Sequence, residues 1–259
     1  MKSKRKRRAL LIDLDGVVYL GEQPIPGAIE TLSCLTAEGI PHVFVTNTTS
    51  RPVSALASKL KRWAIDAPVE RIMTPPVAAR EWLRRKSIDE VSLCVPEPTR
   101  EDFTGIVVTD IERSRAIVLG DLGEMWSGEI LNRIFRRLMT EPPPLFLTLG
   151  TTRYWLSEDG LRLDVGTYAK ALEFASGVTP LVFGKPSEMF FRAALDKLGC
   201  AAEDAMMVGD DVESDIHGAQ AIGIAGVLVK TGKFLPRDLD AQPSPDVVLE
   251  SIAELPRLF

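Results

Sequence analysis

The sequence predicts an α/β fold built on a doubly wound, mostly parallel sheet, and three observations predict it. Short apolar runs recur along the chain, at residues 9–12, 42–45, 181–183, 205–208 and 225–229, and stretches of helical periodicity separate them. Strands alternating with helices wind a parallel sheet with helices on both faces. The runs also end in polar residues at their carboxyl ends, the edge where open α/β sheets bind ligands. Finally, 259 residues with 45% hydrophobic content suffice for one large α/β domain or for a core with an inserted second domain.

The first apolar run stops at Asp13 and Asp15, with Gly16 next. A Gly/Pro loop over residues 21–27 then opens a helix in which Ile29, Leu32 and Leu35 share a face and Gly39 is the stop. The strand at 42–45 runs into Thr46-Asn47-Thr48-Thr49-Ser50, and a helix follows over 53–63. From about residue 75 the texture changes: Thr74-Pro75-Pro76 leads into a charged helix at 77–86, strands at 91–95 and 115–119, an amphipathic helix at 129–139, and a strand at 145–149 after three prolines. The segment 151–177 mixes Arg153, Tyr154, Trp155, Asp164 and Tyr168. That mixture suits either a small-molecule surface or an ordinary exposed layer.

The strand pattern resumes near Leu181-Val182-Phe183, which enters Gly184-Lys185-Pro186. Ser187 precedes a helix with Phe190, Phe191, Ala194, Leu195 and Leu198 on one face and Gly199 as its stop. The run at 205–208 ends in Gly209-Asp210-Asp211, and a short helix carrying Asp215 stops near Gly223. Strands are expected at 225–229 and 246–249. No internal repeat and no low-complexity tract beyond the basic start is present.

Composition narrows the function classes. The net charge is −5, which argues against a general nucleic-acid binder. Six of the seven residues from Lys2 to Arg8 are Lys or Arg, and without them the remainder carries −11. This arm is either a basic contact for nucleic acid, an anionic surface or nuclear import, or a solvated start to the first strand. The apolar stretch behind it is interrupted at Asp13, so a secretory signal is not expected, and no apolar run is of membrane-spanning length. Cys34, Cys94 and Cys200 form no CxxC pair; an odd count with scattered spacing suggests packing in a reducing cytoplasm rather than a disulfide framework. His42 and His217, the only histidines, fall in no motif and are read as structural or solvent-facing.

Four places on strand ends now carry chemistry: Asp13 and Asp15; Thr46 and Asn47; Lys185; and Asp210 with Asp211 and Asp215. In an extended segment Asp13 and Asp15 face the same side. Two carboxylates so close need a cation, a proton or a basic side chain between them, or else they form a plain polar turn. Thr46 and Asn47 offer donors to an anion, or they cap the following helix. Several carboxylates with one lysine suit a hard, oxygen-ligated divalent cation, with Mg²⁺ the obvious candidate. Adding a hydroxyl and an amide gives what phosphoryl transfer asks for, since that chemistry is mostly positioning and charge neutralisation.

In order along the chain, Asp13-x-Asp15-Gly-Val-Val, Thr46-Asn47, Gly184-Lys185-Pro186 and Gly209-Asp210-Asp211-x-x-x-Asp215 resemble the four motifs of the haloacid-dehalogenase-like (HAD) hydrolase superfamily. Ile25-Pro26-Gly27-Ala28, the long insertion and Leu228-Val229-Lys230-Thr231-Gly232-Lys233 resemble its NagD-like and nitrophenylphosphatase-type branch. Arg153-Tyr154, Leu163-Asp164-Val165-Gly166 and Ala171-Leu172-Glu173 resemble members of that branch acting on phosphoamides and pyrophosphate. The resemblance implies a Rossmann-like HAD core over residues 1–74 and 181–259, with an α/β cap domain inserted at 75–180. It implies a Mg²⁺-dependent phosphatase of small phosphorylated compounds. Asp13 is then the nucleophile and Asp15 the general acid/base. Asp13, the main-chain carbonyl of Asp15, and Asp210 hold the metal; Thr46, Asn47 and Lys185 hold the phosphoryl group; Asp215 orients Lys185 or metal-bound water; and Asp211 is either a ligand or lies outside the ligand set. An acid/base at Asp15 favours hydrolysis or phosphomutase chemistry over the dehalogenase members. A phosphate-binding protein without turnover is the alternative from another class. The resemblance also makes a homodimer through the cap an expectation.

Overall fold

A computed structural model describes residues 9–157 and 159–259, so the basic arm at 2–8 lies outside the described residues. The chain forms two compact units. The first takes residues up to 46, then 53–73 and 185–259; the second takes 47–52 and 74–184.

The chain begins in the first unit with β1 (Ala9–Asp13), a five-residue strand buried throughout, as a strand covered on both faces must be. A small antiparallel hairpin, β2 (Tyr19–Leu20) and β3 (Gln23–Pro24), follows. Helix α1 (Ala28–Ala37) buries Ala28, Thr31, Leu32 and Leu35, the spacing of one helical face. Strand β4 (His42–Val45) is buried throughout. Helix α2 (Val53–Arg62) starts immediately after Pro52, and β5 (Ile72–Met73) completes this half.

The second unit continues with α3 (Pro75–Arg85), β6 (Glu90–Cys94), β7 (Val107–Val108), β8 (Ala116–Leu119), α4 (Gly128–Leu138) and β9 (Leu145–Thr148). An antiparallel hairpin, β10 (Tyr154–Ser157) and β11 (Gly160–Leu163), leads to α5 (Val165–Ser176) and β12 (Leu181–Val182). Its main sheet is parallel, in the order β12-β9-β8-β6-β7. Ile117, Leu119, Ile134, Leu138, Phe146 and Leu172 form its core. Tyr168 stacks on Trp126 at a centroid distance of 4.2 Å, whereas Tyr154 and Trp155 are exposed.

The chain then returns to the first unit through α6 (Glu188–Leu198), capped by Ser187 and closed by Gly199 at φ +65°. Strand β13 (Ala205–Gly209), a π-helical turn over Val212–His217 running into α7 (Gly218–Gln220), β14 (Ala225–Val229) and β15 (Val247–Leu249) follow. The first unit's main sheet has the order β15-β14-β13-β1-β4-β5, with every pairing parallel. That is the doubly wound arrangement in which β1 stands where the chain reverses its direction across the sheet. The crevice at the carboxyl ends of β4, β1 and β13 is therefore the place where such sheets bind ligands.

The two units divide the chain differently from the expected 1–74, 75–180 and 181–259, since residues 47–52 and 74 group with the second unit, and its far end moves as well. The strand at 181–182 pairs with β9, Leu181 opposite Leu147, and Phe183 packs edge-to-face on Trp82 at 5.7 Å. The second unit therefore runs to Gly184 rather than 180. All three cysteines are free, and burial pushes the Cys94 thiol up to about 11, which leaves it unreactive. His42 is buried and its Nδ1 lies 2.9 Å from the Ile40 carbonyl, while His217 lies against Glu213 and the Pro243 carbonyl. Among the described residues no helix is long and apolar enough to cross a membrane.

Candidate active site

Parallel pairing delivers the predicted residues of the first unit to one edge. In register, Asp13 lies opposite Val45, so the end of β1 sits beside the residue preceding Thr46, and Ile12 lies opposite Val208, two residues before Asp210. Lys185 arrives just ahead of α6. Its ammonium donates to Asp13 Oδ1 at 2.8 Å and pairs with Asp215 Oδ1 at 2.6 Å. Asp13, Lys185, Asp210 and Asp215 are all buried. One carboxylate oxygen from each of Asp13, Asp210 and Asp215 falls within 4.8 Å of the others.

Three buried carboxylates facing one ammonium leave an excess of negative charge. Burial raises the Asp13 carboxyl against the pull of Lys185, pushes Asp210 up to about 6 and Asp215 up to about 7. Lys185 moves the other way from what burial alone would do. Asp13 and Asp215 outweigh the desolvation and hold its ammonium well above the usual lysine range. The shifts agree physically: one cation stays charged, and the surplus of carboxylates around it makes their protons harder to lose.

The residues fit a hard divalent cation on a direct observation. Asp210 Oδ2 accepts a hydrogen bond from the Lys233 backbone N–H at 2.7 Å, while its Oδ1 is buried with no hydrogen-bond partner among the described residues. A buried carboxylate oxygen without a partner is costly. An oxygen-ligated cation at this cluster would supply both the contact and the missing charge.

The other predicted residues take distinct places. Asp15 is exposed and stands at the start of a tight turn, where the Gly16 N–H donates to the Tyr19 carbonyl at 2.7 Å. Thr46 is buried, with its N–H bound to the Met73 carbonyl at 3.1 Å. Asn47 belongs to the second unit, where its Oδ1 lies close enough to Gly184 that a Cβ there would approach to 3.2 Å. Asp211 is half-buried. It accepts from the Ser214 N–H at 3.0 Å, capping the π-helical turn, and pairs with Lys233 at 3.2 Å. The turn brings Asp215 back over Gly209, where an added Cβ would lie 2.4 Å from the Asp215 side chain.

Two glycines and a loop complete the picture. Gly16 (φ +85°) and Gly232 (φ +59°) press their backbones against Asp210, and a Cβ on either would come within 2.0 Å of its Oδ2. Thr231 donates to the Gly16 carbonyl. The sequence signal for this loop was the one used elsewhere, polar residues directly after an apolar strand, but Gly232 and Lys233 act through backbone atoms that residue types do not advertise.

A family model described as haloacid dehalogenase-like hydrolase matches residues 10–107, and a second HAD-hydrolase-like model matches 182–255. Haloacid dehalogenase-like hydrolase domain-containing protein 2 of Mus musculus is 36% identical over 252 residues, covering 97% of this chain and 95% of its own. The chain belongs to the haloacid dehalogenase-like hydrolase family. Within that family it is also similar to phospholysine phosphohistidine inorganic pyrophosphate phosphatase of Xenopus laevis, at 35% identity over 89% of this chain and 86% of that one. Among solved structures, p-nitrophenyl phosphatase from Archaeoglobus fulgidus superposes with a TM-score of 0.89 at 27% identity, covering 98% of this chain and all of the other. The HAD fold, an α/β core with a second α/β unit, is thus shared along nearly the whole length, and the protein is an enzyme of the hydrolase class.

Proposed function

We propose that this HAD hydrolase is a Mg²⁺-dependent phosphatase of small phosphorylated compounds, whether monoesters, phosphoamides or pyrophosphate. The observation that carries the reading is the buried group of Asp13, Asp210 and Asp215 around Lys185, with the unpartnered Asp210 Oδ1, at the carboxyl ends of β1 and β13. A reaction that needs positioning and charge neutralisation more than covalent machinery suits such a site.

In this reading an Asp13 carboxylate oxygen attacks phosphorus, the bond from phosphorus to the leaving group breaks, and Asp15 gives its proton to the departing atom. Asp15, now a carboxylate, takes a proton from water. The water oxygen attacks the phosphorus of the aspartyl phosphate, the bond to Asp13 breaks, and inorganic phosphate leaves. Lys185 offsets the charge of nucleophile and phosphoryl group, and Asp215 holds Lys185 in place through the 2.6 Å ion pair. Thr46 and Asn47 donate to phosphoryl oxygens. Asp13, the Asp15 carbonyl and Asp210 would hold the Mg²⁺, which when bound neutralises phosphoryl charge and polarises the phosphorus. The second unit, residues 74–184 with 47–52, is assigned the choice of substrate.

Phosphate release from p-nitrophenyl phosphate, pyrophosphate, phospholysine and a set of phosphorylated metabolites, with Mg²⁺ and with a chelator, tests the reading. Release that requires Mg²⁺ is expected. Phosphoryl transfer between positions of a substrate without net release would replace the phosphatase by a phosphomutase.

A further inference from the structure

The acid/base residue stands on a turn whose own structure is slight. The hairpin β2–β3, which begins four residues after Asp15, has only two residues per strand, too few to be stable on its own. A lysine packs directly against it. Helix α2 buries Val53, Leu56, Lys59 and Leu60, so Lys59 lies on the apolar stripe of an otherwise ordinary amphipathic helix. Its side chain is 9% exposed.

A buried ammonium is costly unless its surroundings satisfy it, and here every partner comes from the hairpin or the aromatic residues against it. The Nζ donates to the Gly21 carbonyl at 2.6 Å and pairs with Glu22 at 3.1 Å. It also stands 4.0 Å from the centroid of the Tyr19 ring and 5.5 Å from that of Trp63, within cation–π range of both. Tyr19 and Trp63 pack on each other at 5.4 Å. Tyr19 in turn is bound to the segment that carries Asp15. Its carbonyl accepts from the Gly16 N–H, its N–H donates to the Leu14 carbonyl at 3.1 Å, and it forms a β-bridge with Asp15.

We propose that Lys59 is a positioning residue for Asp15: its buried ammonium pins the β2–β3 hairpin through Gly21, Glu22 and the Tyr19 ring, and thereby fixes the turn from which Asp15 acts. Packing alone does not require a charge here, since leucine or methionine would fill the stripe without the desolvation cost. What the ammonium adds is direction. A carbonyl, a carboxylate and two ring faces converge on one point and admit one hairpin conformation, which a methyl group cannot enforce. The proposal rests on the acid/base reading of Asp15.

The test is a cycle of Lys59→Met, Lys59→Arg and Asp15→Asn, singly and with Lys59→Met combined with Asp15→Asn, assayed on p-nitrophenyl phosphate for kcat and KM. Displacing a reacting group by about 1 Å costs roughly a hundredfold in rate, so Lys59→Met should lower kcat about 10- to 100-fold at saturating Mg²⁺ and leave KM unchanged. Lys59→Arg should recover most of the loss, because a guanidinium reaches the same carbonyl and stacks on the same rings. With Asp15 already replaced, Lys59→Met should cost little more, since both substitutions remove one function. Glu22→Gln, at an exposed side chain, supplies a variant that does not threaten folding and should give a smaller fall in kcat of the same kind. Equal loss from Lys59→Met in both backgrounds, an effect confined to KM, or an unchanged kcat would overturn the role of Lys59. An Asp15→Asn enzyme with full kcat would overturn instead the reading on which it rests.

Discussion

Asp210 shows at the scale of one residue the electrostatic cost of burying three carboxylates around one lysine. Its folded pKa, about 6, lies above the roughly 3.9 of an unfolded aspartate, so the folded chain holds the proton more tightly. A raised pKa contributes stability that is full below about pH 4 and is lost as pH rises through about 6. In a chelator, Asp210→Asn should therefore melt at a higher temperature than the wild type near pH 8, and the margin should close toward pH 5. In Mg²⁺ near pH 8 the order should reverse, because only the wild type gains a ligand. An Asn variant that is no more stable than the wild type without metal would contradict the excess negative charge of the cluster. For Asp15, replacement by Asn should cost on the order of 10²–10⁴ in kcat, read in the same phosphate-release assay. The identities of these residues were legible in the sequence because carboxylates directly after apolar strands have no packing reason to be there. The family resemblance set Asp215 against Lys185 or metal-bound water and left the place of Asp211 open. The π-helical turn, with six residues from Val212 to His217, decides that Asp215 swings inward to Lys185 while Asp211 caps the turn, and no composition rule marks a π-turn.

Among the elements, the long buried strands and most of the amphipathic helices were readable from periodicity, and their bounds moved by a residue or two. The elements that escaped are helix α5 (Val165–Ser176), whose span lies inside the mixed segment 151–177, and strands stabilised by neighbours rather than by their own pattern: β2–β3, β5, β7 and β10–β11, most of these only two residues long. Close backbone approach in the site belongs to turns outside the regular elements, at Gly16 and Gly232. Gly16→Ala would place a methyl 2.0 Å from Asp210 Oδ2 at φ +85°, where an L-residue is strained by roughly 1–2 kcal/mol before any clash. Chemical denaturation should show a loss of about 1–3 kcal/mol, and the midpoint of Mg²⁺-induced thermal stabilisation should move to higher metal concentration. Unchanged stability and unchanged Mg²⁺ response would mean that the turn and Asp210 are not packed together as described.

At the scale of the whole molecule, a single topological fact organises the chemistry. Residues nearly two hundred positions apart meet because β1 lies between β4 and β13 at the reversal of strand order. Alternating strands and helices implied the sheet, and polar strand ends implied that they meet. The end of the second unit at Gly184 was harder to read, because Leu181 and Val182 are as apolar as any core strand and only pairing reveals which sheet they complete. The proposed phosphatase chemistry depends most on covalent phosphoryl transfer to Asp13. The direct measurement is rapid-quench mass spectrometry of the protein during turnover of p-nitrophenyl phosphate in Mg²⁺. It should find a phosphoryl group on the peptide containing Asp13, at higher occupancy in Asp15→Asn and absent in Asp13→Asn, which should be folded and inactive. Steady turnover with that peptide unmodified, or an Asp13→Asn protein that still releases phosphate at the wild-type rate, would contradict it.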